Sequence, residues 1–292
     1  MTRRLIRVAA LLCLCTGAHA QSLQVLDYGA APRAPLRYQF TAGQSERVAI
    51  EMDMSMTRQV NGQPVPVATV PPIRSTMNVH VTEVAADGSA RVEFETLSSE
   101  ARATQGGVPI DQAGLNRALA TESLLKGSYR TDTRGRILDT GVSLPDGAMP
   151  AAASQMMNDL LGNQNETVQQ LPEEAVGIGA RWRVERRMTV AGATLVQAEE
   201  YTLRSRSGDR VELDVSMTQE LSGAATPGPA VQAASSNAKA SGKLVIDLHK
   251  LTPTMTMEVN GGTSVSPPGG QSQPAAMEIG VHMKMSLAPA AD

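Results

Sequence analysis

Aromatic side chains are nearly missing from this chain: two Phe, four Tyr and one Trp among 292 residues. A core must therefore be assembled from aliphatic residues and from methionine, of which there are 15. Cysteine is scarcer still. Cys13 and Cys15 are the only two, and both fall inside the first 20 residues. Loss of that segment leaves no thiol, which excludes a disulfide framework and a thiolate nucleophile. Beyond residue 20 no run is apolar enough to cross a bilayer core, which takes about 20 residues as a helix. Strong charge of either sign is lacking too. A formal charge of −3 offers no basic surface for nucleic acid or for an anionic membrane. There is no G-x-S-x-G, no H-E-x-x-H and no H-x-x-x-H. The acids are scattered along strand faces with no marked pair. An enzyme is not expected, and neither is a cofactor.

The N-terminus carries the first positive signal. Arg3, Arg4 and Arg7 precede an apolar run from Val8 to Leu14, which gives way to Ala18-His19-Ala20 before Gln21. A basic start, a short apolar segment and an A-x-A site are the parts of a secretory signal peptide. Residues 1–20 are expected to be cleaved after Ala20, leaving a periplasmic or secreted protein. Lipidation is the rival reading, but a lipobox wants a small residue before its cysteine. Leu12 precedes Cys13 and Leu14 precedes Cys15. Cleavage takes three positive charges from a formal −3, giving −6.

Strict alternation of apolar and polar residues dominates the rest, and that is the mark of strands with one covered face. Over 46–57, Val48, Ile50, Met52, Met54 and Met56 share a face opposite Arg47, Glu51, Asp53, Ser55 and Thr57. Val211, Leu213, Val215 and Met217 alternate with acids and hydroxyls, as do Met277, Ile279, Val281, Met283, Met285 and Leu287 near the C-terminus. Strands are expected at 46–57, 76–85, 90–104, 127–142 (two short ones around Arg134-Gly135), 180–190, 193–204, 210–221, 242–250, 254–260 and 276–288. A Pro-rich loop runs from Gly62 to Pro72. Two segments read as helices: 111–125, opened by Asp111, and 149–161, with Pro150 in its first turn and Gly162 after it. Ser222 to Ser241 and Ser264 to Pro274 are low in complexity and are expected as mobile surface loops.

The two halves, about 36–142 and 172–288, run in a similar order. Asp87-Gly88 precedes Arg91-Val92-Glu93-Phe94, and Gly208-Asp209 precedes Arg210-Val211-Glu212-Leu213. An internal duplication or a plain antiparallel meander would each give this ordering. The expected architecture is mainly β: an antiparallel meander of two similar halves, a curved sheet or half-barrel. Two helices sit near its middle, with 149–171 as helical connector.

Leu36-Arg37-Tyr38-Gln39-Phe40 with Gly43, the Asp87-Gly88 hairpin, and Leu171-Pro172-Glu173-Glu174 leading to Val176-Gly177-Ile178-Gly179-Ala180-Arg181-Trp182 resemble a group of exported bacterial proteins catalogued as a domain of unknown function. That resemblance implies no activity. The order of strands and helices is also similar to LolA-type lipoprotein carriers and related lipid carriers. The latter likeness implies a curved sheet around a greasy cavity plugged by helices.

Methionine is the distinctive candidate for a site. Met52, Met54 and Met56, then Met257 (with Met255), then Met283 and Met285 fall at period-2 spacing. Met156 and Met157 lie on the apolar face of the second expected helix. Thioethers are soft ligands that select Cu(I), but unbranched, adaptable methionine also fills cores and lines promiscuous apolar sites. His80, His249 and His282 fall on polar strand faces away from the methionines, so no metal site is expected. Arg181, Arg183, Glu185 and Arg187 share a face that could grip an anionic headgroup or lie solvated against acids such as Glu199. Three functions stay open: binding of an apolar small molecule or lipid, an envelope protein–protein interaction module, and Cu(I) handling.

Overall fold

Period-2 patterning over most of the chain produces strands and little else. In the computed structural model the described residues are 22–67, 70–102, 114–115, 117, 119–120, 125–143, 170–190, 193–222, 232–266 and 277–290. The expected signal peptide at 1–20 and its cleavage site lie outside them. Thirteen strands follow in order: β1 (Ser22–Asp27), β2 (Ser45–Val60), β3 (Gln63–Val65), β4 (Ile73–Val84), β5 (Ala90–Ala101), β6 (Lys126–Thr131), β7 (Ile137–Ser143), β8 (Arg181–Val190), β9 (Ala193–Ser207), β10 (Arg210–Ser222), β11 (Gln232–Asp247), β12 (Thr254–Ser266) and β13 (Met277–Pro289).

All pair antiparallel in one sheet, ordered β1-β8-β9-β10-β11-β12-β13-β2-β4-β5-β6-β7, with β3 added beside β2. Consecutive strands are neighbours almost throughout, as short hairpin connections dictate. The β13–β2 ladder joins the second run of strands to the first through thirteen paired positions from Met277↔Val60 to Pro289↔Val48. Among the described residues β1 and β7 are the edges, and the sheet is not closed into a barrel.

The sheet is nevertheless bent. Trp182 on β8 donates its indole N–H to the Gln170 carbonyl at 3.1 Å, and the next residue, Leu171, donates its backbone N–H to Arg134 in the β6–β7 turn at 2.9 Å. β8 and β6 are nine steps apart in the strand order. In a flat sheet they would be roughly 40 Å apart at about 4.8 Å per strand. Two adjacent residues cannot bridge that span, so the turn ends of the sheet are drawn round toward one another.

The segment 28–44 straps this end. Ala34 bridges Val176, Tyr38 donates its N–H to Thr133, Gln39 to Leu248 and Gly43 to Val81. The strap crosses 177–180 so closely that a Cβ on Gly177 would sit 1.7 Å from the Ala30 carbonyl oxygen, which only glycine tolerates. Beneath it lies the larger core cluster, in which Leu36, Leu171, Val176, Trp182, Leu203, Leu213, Leu244 and Ile246 are buried. A smaller cluster of Val48, Val79, Val81, Ala90 and Val92 lies under β2, β4 and β5, and Phe40 packs against both.

Several expectations need correction. The described elements contain no helix. Helical backbone is recorded only at Gly114, Leu115, Arg117, Leu119 and Ala120, too little to establish a helix over 111–125. The second expected helix, 149–161, lies outside the described residues, as does the connector 149–171 except for Gln170 and Leu171. Those two are irregular chain pinned by Trp182 and Arg134 rather than helix. The loop expected from Ser222 to Ser241 is strand from Gln232 onward. Residues Ser236 to Ser241 pair with β10 on one side and β12 on the other, and a central strand gets its ladder from backbone groups, which small side chains do not obstruct. The segment 264–266 completes β12, and even the Pro-rich loop contributes β3 at a sheet margin, where Pro64 is tolerated. Among the described residues no helix is long and apolar enough to cross a membrane.

Candidate functional site

Cross-strand register converts the sequence alternation into lateral rows on the apolar face, because directly opposed residues point to the same side. One row runs Trp182, Tyr201, Val215, Gly242, Met257, Met285, Met52 and Ile73 from β8 to β4. The next, one step further from the turns, runs Val184, Glu199, Met217, Ala240, Val259, Met283 and Met54. A third runs Arg186, Gln197, Gln219, Ala238, Gly261, Val281 and Met56.

The structure thus brings Met52, Met54, Met56, Met257, Met283 and Met285 together on β12, β13 and β2. All six are half-buried, so they are neither sealed in a core nor free in solvent. Met156 and Met157 lie outside the described residues. In the centre of the same rows β11 contributes only small residues, Ala238, Ala240 and Gly242.

At the β8–β9 end the face changes character. Arg186 and Glu199 are both buried there, their side chains 3% and 10% exposed. Arg186 Nη1 donates to Glu199 Oε1 at 2.9 Å. Gln197 Nε2 donates to the same oxygen at 2.7 Å, and the Tyr201 hydroxyl donates to Glu199 Oε2. Tyr201 is itself held by stacking on Trp182, with centroids 5.5 Å apart and 13° between the rings. Burial first, and the neighbouring Glu199 charge second, hold the Tyr201 hydroxyl well above the ordinary phenol range. The carboxylate has three donors. The guanidinium is less well served: its Nε and Nη2 are buried without a hydrogen-bond partner among the described residues.

This cluster is one that the alternation over 181–187 points to without naming. Arg181, Arg183 and Arg187 do share the exposed face, but Arg181 pairs with Glu200, and Arg183 and Arg187 with Glu185. Glu199 is on the other side of the sheet, with Arg186. A charge at apolar parity on each of two adjacent strands is the signal.

A trough of about 820 Å³ crosses the middle strands. Lys243, Thr256, Ser286 and Glu51 line it from one polar row, and Ser241, Glu258, Lys284 and Asp53 from the next. Met257, Met285 and Met52 contribute from the intervening ladder row, whereas Val259, Met283, Met54, Met255, Leu287 and Ile50 do not. That selection belongs to the polar face, so this trough is not the greasy cavity that the likeness to lipid carriers implies.

The histidines are dispersed. His282 Nδ1 is 2.8 Å from Asn260 Oδ1 on the polar face. His80 is half-buried opposite Ser45 and Glu93. His249 is in the turn after β11, rather than on a strand face, with Nε2 3.0 Å from Asp209. Among the described residues no three His, Cys, Asp or Glu side chains gather as metal ligands.

No family model matches the chain, and no curated protein matches it. Among solved structures it has a weak similarity to LpxR from Salmonella typhimurium, at 9% identity over 82% of this chain and 99% of that one, with a TM-score of 0.13. No argument about fold or activity rests on so low a score.

Proposed function

We propose that the protein is an exported, non-catalytic carrier that holds an apolar ligand against the methionine face of its sheet. One observation carries this reading: methionines from three adjacent strands are in register on one half-buried face. Thioether side chains adapt to ligands of varied shape, and a face that monomer packing leaves half-covered is where such a ligand gains contact. The basic, apolar and A-x-A sequence of residues 1–20 supports a periplasmic or secreted location. The two-halved, half-barrel reading is supported by β2-β4-β5-β6 and β8-β9-β10-β11 following one another in the same order. The experiment is solvent extraction and native mass spectrometry of protein purified from the periplasm. A bound lipid or acyl species is the expected result. Ligand-free protein that also takes up no fatty acid or lipid in vitro overturns the reading.

A second reading has its own observation. Met257, Met285 and Met52 stand side by side in one ladder row, and three thioethers are a donor set suited to Cu(I). Copper titration under reducing conditions tests it, with one tightly held equivalent expected and no retention counting against it.

A further inference from the structure

The buried guanidinium of Arg186 is the most anomalous polar group on the apolar face. A buried N–H without a partner is costly, and guanidinium donors are usually paired when they are out of water. Here two nitrogens are unpartnered at once among the described residues. They are Nε and Nη2, the two donors that point in parallel from one edge of the planar group. This edge is the fork that grips two oxygens of a carboxylate or phosphate side by side. The third nitrogen, Nη1, is already used by Glu199. Arg186 is therefore held in place by one anion, with the second edge of its guanidinium buried and, among the described residues, unpartnered.

Its surroundings fit that role. Arg186 begins the ladder row that continues through Gln197, Gln219, Ala238 and Gly261 to Val281 and Met56. Ala238 and Gly261 keep the middle of the row low. The methionines stand at its far side. An anionic head and an apolar tail would thus find their counterparts at opposite ends of one face.

We propose that Arg186 is the headgroup anchor of this face, its free Nε/Nη2 edge taking the two oxygens of an anionic amphiphile whose tail lies along the small-residue rows toward the methionines. This inference rests on the apolar-carrier reading above and names its ligand class: a single-chain carboxylate or phosphate monoester. A carboxylate leaves the Arg186–Glu199 cluster with one net negative charge, and a phosphate monoester with up to two. The Gln197 amide and Tyr201 hydroxyl, already donating to Glu199, disperse part of it.

The test uses the mature protein and three probes with the same tail: palmitate, hexadecyl phosphate and 1-hexadecanol, titrated by calorimetry. Trp182, the only tryptophan, stacks on the tyrosine that donates to Glu199, so its fluorescence gives an independent readout. At least one anion is expected to bind tenfold or more tightly than the alcohol. The tighter of palmitate and hexadecyl phosphate identifies the head. In Arg186→Gln/Glu199→Gln, which removes both charges so that neither is stranded, that preference is expected to vanish while alcohol binding stays within about twofold. Equal binding of alcohol and anions by the unmodified protein, a comparison that needs no variant to fold, overturns the anchor and leaves the apolar site standing. Binding of none of the three defeats the carrier reading and the anchor with it. A double variant that is folded by near-UV circular dichroism and retains the anion preference also overturns the anchor.

Discussion

One ladder row has two different ends. At β8 and β9 it consists of Trp182 and Tyr201, 0% and 2% exposed. At β12, β13 and β2 it consists of Met257, Met285 and Met52, all half-buried. The backbone pairing is the same throughout. The difference lies in what covers the row. The strap 28–44 and the 170–176 chain place Leu36, Tyr38, Leu171 and Val176 over the β8–β9 end. Among the described residues nothing equivalent is packed over the methionines. One sheet face is therefore sealed core at one end and half-covered at the other, with the covering segments deciding which.

Truncation at the two ends should break this symmetry most strongly. Trp182→Ala removes a fully buried ring, its stacking on Tyr201 and its hydrogen bond to Gln170. A loss of about 3–5 kcal/mol is expected from large-to-small changes in sealed cores. Met285→Ala, in the same row, should cost only about 1–2 kcal/mol, since its side chain is only partly buried. Urea unfolding of both variants measures the contrast, and equal losses would mean that the methionine end is core after all.

The ion pair offers the next test. Glu199→Ala strands Arg186 with no anion at all, for an expected cost of about 3 kcal/mol. Replacement of both residues by methionine removes both charges from the apolar face and should recover most of that loss. A double-mutant cycle in urea gives the coupling. Retention of full stability in Glu199→Ala would show that the cluster contributes nothing to the sealed end.

Much of this was legible in the alternation, and what escaped it has physical reasons. Strand positions and faces follow from period 2, which puts the methionines of β12, β13 and β2 on one face, as the ladders do. The expected strand at 242–250 catches the end of β11, but its first part, 232–241, escaped because Ala and Ser carry no hydrophobic signal, and its partners β10 and β12 supply the reason it is a strand. Curvature belongs to the expected curved sheet or half-barrel, but the contacts that draw its ends together, such as Leu171 to Arg134, join distant residues and leave no mark on the alternation. Glu46 escaped too, although it has the parity of Val48 and Ile50. Its carboxylate accepts from the backbone N–H groups of Leu251 and Thr252 at 2.8 and 3.2 Å and so fixes the β11–β12 turn to β2. As with Arg186 and Glu199, a charge out of phase with the pattern was the clue.

Alkaline pH should weaken the sealed region selectively. Burial, then the Glu46 charge, pushes Tyr129 up to about 12, and burial holds Tyr38 and Tyr201 above the ordinary range as well. A raised folded-state pKa keeps the proton on the folded chain when the unfolded chain has lost it. The stabilising effect is thus complete below pH 10 and declines as pH rises from about 10 toward 12. Unfolding midpoints should fall across that window. Tyr129→Phe, which has no proton to lose, should flatten part of the decline, and an unchanged slope would contradict the assignment.

The smallest effect on stability is expected from Met→Leu exchange on β12, β13 and β2, and it is the sharpest test of what the methionines are for. Leucine has nearly the same volume and apolarity, so Met52→Leu, Met283→Leu and Met285→Leu should each cost less than about 1.5 kcal/mol. If these side chains were packing alone, nothing else would change. If they form an adaptable wall, leucine's branched, stiffer side chain should narrow the range of tail lengths bound while leaving the unfolding curve almost where it was. A triple variant titrated with alkyl probes of different length separates these outcomes. A wall of methionine is needed only where the occupant varies, so an undiminished range of tails would reduce the methionine face to ordinary half-buried packing and remove the main support for a carrier.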